Sequence, residues 1–509
     1  MSLTSRLALW ILLIRDYQLL PVMTLAVAVR LYGITHSSFW FDEAYSVLIS
    51  ATTPSEIWRY SADDVHPPLY YLLLHVWMFF WGESVFSVRL MSAVTGVLTV
   101  PVSVWLVGII ATRRAAILAG FLTALLPVAV RYSQEARMYA LLALCCVAAT
   151  LTLVYWVKNS RHCRYLYAYA LIMALGFYTH YFAGLCLVAH WLYLLSVRES
   201  GRPLAMRYVW WMANLAVIVL YLPWIPALMT QLTHIKAVGW IPQVSVASVI
   251  SQVWLFLTLE FGPDWPFMAY ICAPLVVVVM TVMLLKQDTS HYRFNALLVL
   301  YTFVPILLAA FVSLKVPLFW PRYFLFAAMG LPLLLALELD LLIARHRRMG
   351  IACLLVLVGV QMGGLHNVYA GQYRLNNPYQ RQETGIDRVA AYINSLWAPG
   401  DQVLVYDLYF YPGALYYNKT GTKPLLFKPV NVFKERPDHL RAGSLWDQDG
   451  EAFYIDSLGA IPVGTRRVWF IFDASQTTLN VPDRWRLVDY MTAGDTALSL
   501  YTLEPLSPR

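Results

Sequence analysis

Residues 17–46 read YQLLPVMTLAVAVRLYGITHSSFWFDEAYS. The stretch opens on an apolar run, 17–33, and a run of roughly 17–25 apolar residues is what a bilayer-crossing helix needs. It closes on the aromatic triplet Phe39-Trp40-Phe41, the kind of residue that collects where a span meets water, and on the paired carboxylates Asp42 and Glu43. Carboxylates at the edge of a bilayer are costly to desolvate, so a pair placed there points to a function.

The rest of the chain extends this pattern. Of its 509 residues, 60% are hydrophobic and 13% charged, whereas a soluble domain carries about 25% charged residues. Further apolar runs of spanning length lie at 86–110, 114–131, 137–157, 164–180, 181–197, 207–229, 266–286, 293–314, 322–343 and 348–368, giving about eleven expected spans. The net charge is +8, but the Lys and Arg residues flank apolar runs (Arg113, Arg114, Lys158, Arg161, Arg198, Arg202, Lys286, Arg345, Arg347). Every second loop is therefore basic and is expected on the cytoplasmic side, which explains the charge without a nucleic-acid partner. Residues 68–81, PLYYLLLHVWMFFW, are too short to span and would invert every later loop if counted. They are expected to form an interfacial or re-entrant helix. The segment around Arg6 and Leu7–Ile14 lacks a small-residue cleavage site and is expected to be retained. Six cysteines without a CxxC pair argue against a disulfide framework or thiolate metal site.

After residue 370 polar and charged residues return. A helical stretch near 380–396, the turn Ala398-Pro399-Gly400-Asp401 and apolar strands at 403–405, 468–472 and within 485–504 predict a small α/β domain. The expected organisation is a polytopic α-helical membrane domain over 1–370 and an extracytoplasmic α/β domain over 371–509.

The outward loops hold the candidate chemistry. Asp42 suits a general base or metal ligand, with Glu43 orienting it; the pair equally suits the first turn of a helix over 43–51. His66 precedes Pro67-Pro68, which fixes it near the membrane plane. Glu135 and Arg137 lie between two spans in YSQEARMY, followed by Tyr139. Arg137 can clamp a phosphate through two parallel hydrogen bonds or form a surface ion pair. His180 and Tyr181 occupy the next outer turn, a phosphate contact or part of an aromatic belt. Lys315 and Arg322 bracket Pro317-Leu318-Phe319-Trp320-Pro321. Two cations on an outer loop run against the positive-inside bias, favouring anion binding over snorkelling. Arg30, a turn from the end of the first span, either snorkels or supports Asp42. Glu260 and Asp264 carry less weight, as does the lone sequon Asn418-Lys419-Thr420. No P-loop and no GxGxxG following a strand is present, which disfavours a nucleotide-driven pump.

FWFDEAYS (39–46), HPPLYYLLLHVW (66–77), YSQEARMYALL (132–142) and PRYFLFAAMGLPLLLAL (321–337) together resemble the GT-C glycosyltransferases, in particular bacterial relatives of the protein O-mannosyltransferases and the lipid A aminoarabinose transferases. The resemblance covers roughly residues 17–370. It implies a polyprenyl-phosphate sugar as donor and, as acceptor, a hydroxyl on a lipid, glycan or protein. It further implies inversion at the anomeric carbon and a site on the outer face of a bacterial inner membrane, among membrane lipids. The family's first-loop acid falls on Asp42, the implied base, with Glu43 beside it. Glu135 stands where the family often has an aspartate, which leaves a divalent metal open. By loop position, Arg137, His180, Lys315 and Arg322 are the implied lipid-phosphate contacts, and Arg30, His66, Tyr139 and Tyr181 support them. The competing readings are a transporter or lipid-glycan flippase, against which stand the lack of an internal repeat and the gathering of charge at one surface, and a non-catalytic scaffold.

Overall fold

The computed structural model describes residues 18–233, 241–260, 265–288, 290–371, 384–427, 454–476 and 480–503. The N-terminal segment 6–16, Asp264 and the first residues of the helical stretch expected from 380 lie outside the described residues. The chain divides into two compact units. The first contains residues up to 34, 66–70 and 89–375. The second contains 35–65, 71–88 and the chain from 376.

The first unit is helical. Among the described residues seven helices are long and apolar enough to cross a membrane: Val85–Ile110, Tyr139–Lys158, Tyr208–Leu232, Met268–Gln287, Phe294–Ser313, Pro321–Arg345 and Arg347–Tyr369. Arg113–Leu125 and Pro127–Ser133, bent by 57° at their junction, make an eighth if counted as one span. Eight of the about eleven expected spans therefore reach spanning length among the described residues, with the bent pair counted as one. The runs expected at 17–33, 164–180 and 181–197 become helices of 13, 16 and 14 residues. At about 1.5 Å per residue these reach roughly 20–24 Å, short of a hydrocarbon core of about 30 Å. Apolarity in a window reports where lipid or core is tolerated, not where a helix stops.

The bend has a specific cause. Pro127 has no N–H and cannot bond back to the carbonyl of Thr123, so the break leaves C=O groups without helical partners in an apolar setting. Arg30 meets them: its Nη2 donates to the Thr123 carbonyl (3.3 Å) and its Nη1 to that of Ala124 (3.0 Å) and, within its own helix, Ala26 (3.2 Å). Gly96 makes room for this junction, since a Cβ there would lie 2.0 Å from Ser133 Oγ and 3.2 Å from Arg30 Nε. Arg30→Met should lower stability by about 3 kcal/mol, because two buried carbonyls lose their donors; a fall in the thermal midpoint of the protein in lipid checks this.

The second unit is built around a six-stranded sheet: β1 Asp401–Val405, β2 Leu425–Phe427, β3 Tyr454–Ile455, β4 Arg467–Asp473, β5 Trp485–Ala493 and β6 Thr496–Leu503. The spatial order is β3-β2-β1-β4-β6-β5. The first four are parallel, and β6 and β5 close the sheet as an antiparallel hairpin. β1 is buried along its whole length and β4 is buried from Val468 to Phe472, the continuous apolar reading of strands covered on both faces. Helix Ile386–Leu396 buries Ile386, Val389, Ala390 and Ile393, one stripe at helical spacing. The expected turn is present, with Gly400 at φ +92°, a conformation glycine adopts without strain. Asp401 follows it, accepting from Arg467 Nε (2.8 Å) and Nη2 (2.6 Å), Trp469 Nε1 (2.9 Å) and the Ala398 N–H (3.0 Å). Burial raises its pKa, but these bonds outweigh it and hold the carboxyl below its ordinary range. The stabilisation is thus present above the unfolded carboxyl pKa and lost as pH falls through the folded one.

Candidate active site

The candidate residues divide between the units. In the second unit, Asp42 and Glu43 sit in the first turn of helix Phe41–Ser50, where a negative charge meets the positive end of the helix dipole. The N-cap is Trp40, whose side chain makes no capping bond. Glu43 is buried to 1% exposure while Asp42 is half-buried. The preceding residues are tied to the C-terminal chain. Ser38 Oγ donates to the Thr384 carbonyl, and the Phe39 N–H donates to Tyr417 Oη at 2.9 Å. The fully buried Phe39 ring meets Tyr416 edge-on at 4.8 Å, and Phe41 lies parallel to Tyr409. The acid pair is therefore held by residues more than 340 positions away in sequence. Tyr417→Phe removes the acceptor of the Phe39 N–H and should cost about 1–2 kcal/mol locally, visible as faster proteolysis at 36–42 in the intact protein.

In the first unit, the structure brings His66, Tyr139, His180 and Arg322 together. The His180 ring lies 5.4 Å from His66, 6.1 Å from Tyr139 and 5.3 Å from Tyr323. The Arg322 guanidinium stands 5.9 Å from the Tyr139 ring and 5.7 Å from that of Tyr323. Glu135 is fully buried and pairs with Arg131 Nη2 at 3.0 Å, so that one buried charge offsets the other. Two residues on, the Arg137 N–H donates to the Glu135 carbonyl (2.7 Å), and the Arg137 carbonyl accepts from Ser92 Oγ (3.3 Å), itself bonded to Tyr70 Oη (3.0 Å).

His180 caps helix Arg164–Thr179 and lies in the turn after it. Its Nδ1 accepts from the Phe182 N–H at 3.1 Å, which places the ring proton on Nε2. That Nε2 is buried with no hydrogen-bond partner among the described residues. Burial, then the charges of Arg137 and Arg322, push the His180 pKa down to about 3. The cluster thus offers two guanidinium groups and a neutral N–H donor to an anion.

The other expected members lie apart from this cluster. Arg30 serves the helix break. Tyr181 Oη donates to Gln231 and accepts from Trp224 Nε1 at 3.0 Å. Lys315 is exposed beyond helix Phe294–Ser313 and, among the described residues, makes no contact with the cluster. Among the described residues no group of three or more His, Cys, Asp or Glu side chains suits a metal ion, so no donor set for the divalent metal left open above converges here.

Residues 65–225, which contain His66, Glu135, Arg137, Tyr139 and His180, match the family described as dolichyl-phosphate-mannose-protein mannosyltransferase. The whole chain superposes on ArnT from Cupriavidus metallidurans bound to undecaprenyl phosphate with a TM-score of 0.60 at 12% identity, covering 95% of this chain and 97% of that one. The chain shares that fold. The chain is also similar in fold to the oligosaccharyltransferase of Archaeoglobus fulgidus in complex with zinc and sulfate (TM-score 0.55, 12% identity, 89% of this chain and 67% of that one). It is likewise similar to the archaeal oligosaccharyltransferase AglB from the same organism, in complex with an inhibitory peptide and a dolichol-phosphate (TM-score 0.51, 12% identity, 90% and 69%). No curated protein matches the chain in sequence. Asp42 lies ahead of the stretch matched by the mannosyltransferase family. The residues that hold its loop, Tyr409, Tyr416 and Tyr417, were missed in the sequence reading; the one signal for them is the run of tyrosines from 406 to 417 in a domain otherwise read as generic.

Proposed function

We propose that this protein transfers a sugar from a polyprenyl-phosphate donor to an acceptor hydroxyl at the outer face of a bacterial inner membrane, with inversion, and with its C-terminal domain extracytoplasmic. The observation that carries this reading is the buried cluster of Arg137, Arg322 and neutral His180, whose Nε2–H has no acceptor among the described residues. The buried His180 N–H can donate to an oxygen of the phosphate of a lipid-linked sugar, whose tail stays in the bilayer, with the two guanidinium charges nearby. Two of the superposed proteins hold lipid phosphates of this kind, undecaprenyl phosphate and dolichol-phosphate.

In this reaction the Asp42 carboxylate takes the proton of the acceptor hydroxyl, and the acceptor oxygen attacks the anomeric carbon. The bond from that carbon to the phosphate oxygen breaks, and the electron pair leaves with the lipid phosphate. Arg137 and Arg322 meet the charge that develops on the phosphate, and His180 donates to it without exchanging its own proton. Glu43 accompanies Asp42 in the first turn of its helix, the Arg131–Glu135 pair lies in the same unit as the cluster, and His66 and Tyr139 pack the His180 ring.

The test is sugar transfer by the purified full chain in lipid, from a panel of polyprenyl-phosphate sugars, with native membrane extract supplying acceptors. Transfer from at least one donor is expected. Failure with every donor, with stoichiometric uptake or translocation of a lipid-linked sugar instead, would install the flippase reading. Because His180 stays neutral down to about pH 3, His180→Asn should lower transfer without moving the midpoints of the pH–rate profile between pH 5 and 8. A displaced midpoint would mean that His180 itself ionises during turnover.

A further inference from the structure

We propose that the loop holding Asp42 and the C-terminal domain together form a subsite for a sugar ring of the acceptor, so that the acceptor is a carbohydrate. This rests on the transferase reading above and adds the substrate class that it leaves open. Phe41, Tyr45 and Tyr409 share one ring orientation. The Phe41 ring is 6.4 Å from that of Tyr45 with 3° between their planes, and 6.3 Å from that of Tyr409 with 12° between them. Aromatic neighbours often settle into edge-to-face contacts, and elsewhere in this unit they do, as between Tyr45 and Tyr71 at 88° and Tyr409 and Phe410 at 87°. A row of near-parallel rings instead presents faces in a common direction.

The row is fixed before any ligand arrives. Tyr45 is buried to 5% exposure and braces Phe41. Tyr409 is held by its neighbour Phe410 and by its own N–H, which donates to Asp407 Oδ1 at 2.9 Å. Phe41 and Tyr409 are only half-buried and so keep ring surface open. Rigid, partly exposed aromatic surface costs little entropy on binding. Each of the two half-buried rings has a carboxylate close by in the chain: Asp42 adjoins Phe41, and the exposed Asp407 lies two residues before Tyr409.

Aromatic faces beside carboxylates are the recognition chemistry of a pyranose. Its C–H face packs on a ring, and its vicinal hydroxyls donate to the two oxygens of an ionised carboxylate. A peptide segment would offer neither the flat C–H face nor the diol, and an acyl chain has no use for the carboxylates. A sugar stacked on Phe41 presents its hydroxyls next to Asp42, the residue assigned as base, which is the orientation that transfer requires.

The test is saturation-transfer NMR on the full chain in lipid nanodiscs, with methyl glycosides of glucose, galactose, mannose and N-acetylglucosamine as probes. At least one glycoside should receive saturation mainly at the protons of one ring face. Tyr409→Ala should weaken its binding by about fivefold, within the range of one lost aromatic contact. Tyr409→Phe should recover most of that loss, since the ring and not the hydroxyl is the contact. Asp42→Asn should leave the face selectivity in place. No Tyr409-dependent signal from any probe, or transfer to a sugar-free serine peptide or diacylglycerol in preference to every glycoside, overturns the proposal. Tyr409-dependent glycoside binding by a protein that transfers no sugar would leave the subsite standing and remove the transferase reading beneath it.

Discussion

Asp42→Asn should lower kcat for sugar transfer by about 10²–10⁴-fold, the range that a positioned general base contributes, while the apparent affinity for donor changes by less than about threefold. Asparagine keeps the size and shape of the aspartate but loses its negative charge, and with it the capacity to take a proton. Asp42 is half-buried in the first turn of its helix, and its backbone carbonyl, which accepts from Ser46 Oγ at 2.7 Å, is untouched by the change. The variant should therefore fold normally, with a thermal midpoint close to that of the native protein. Glu43→Gln is the informative counterpart. Glu43 is buried to 1% exposure, so a change there should appear first in stability and only secondarily in rate. If Asp42→Asn retains more than about a tenth of kcat while Glu43→Gln abolishes turnover in a folded protein, the base is Glu43 and the roles assigned to the pair are reversed. Measuring kcat and the acceptor KM separately guards against one misreading: a loss confined to KM would mark Asp42 as a binding group for the acceptor hydroxyl.

How much of this was legible in the sequence depends on how far apart the interacting residues lie. The acid pair, the apolar helices and the strands of the C-terminal domain are local features. An apolar run, an Asp-Glu after aromatic residues and a Pro-Gly-Asp turn each declare themselves within ten positions. The role of Arg30 could not be read this way, because the carbonyls it satisfies are freed by Pro127, almost a hundred residues on. Nor could the holding of Phe39 by Tyr417, 378 positions away. Lys315 was grouped with Arg322 by loop position alone; the structure buries Arg322 among Tyr139 and Tyr323 and leaves Lys315 exposed. Loop position groups cations by where they fall in the chain, whereas burial among rings separates a cation packed inside the unit from one left at its surface. The short helices at 164–179 and 183–196 were read as full spans for a related reason. Their residues are apolar enough, but the turn at His180 ends one and starts the next before either reaches spanning length.

Arg322→Ala should lower kcat by about 10²–10³-fold, the loss that follows removal of one preorganised donor from a developing negative charge. Arg322 fits that description. It is 4% exposed, enters on the short turn Pro321–Phe324, and is flanked by the rings of Tyr139 and Tyr323. Those rings shield it from water, and a charge acts more strongly where the dielectric is low. Alanine also removes packing, so a second variant is needed to separate charge from volume. Arg322→Lys keeps the charge and most of the stem but loses the planar fork that grips two phosphate oxygens at once. It should fall between native and alanine in kcat, with a thermal midpoint near that of the native protein. The lipid monophosphate left after transfer carries more charge than the donor diester, so Arg322 should matter more to it: inhibition by added undecaprenyl phosphate should weaken in Arg322→Ala by a larger factor than donor affinity does. Equal loss of both would describe a residue that binds donor and leaving group alike, and such uniform binding does not accelerate the chemical step. Unchanged product inhibition, with turnover lost in a folded protein, would move the phosphate away from Arg322 and leave Arg137 and His180 as the anion's contacts.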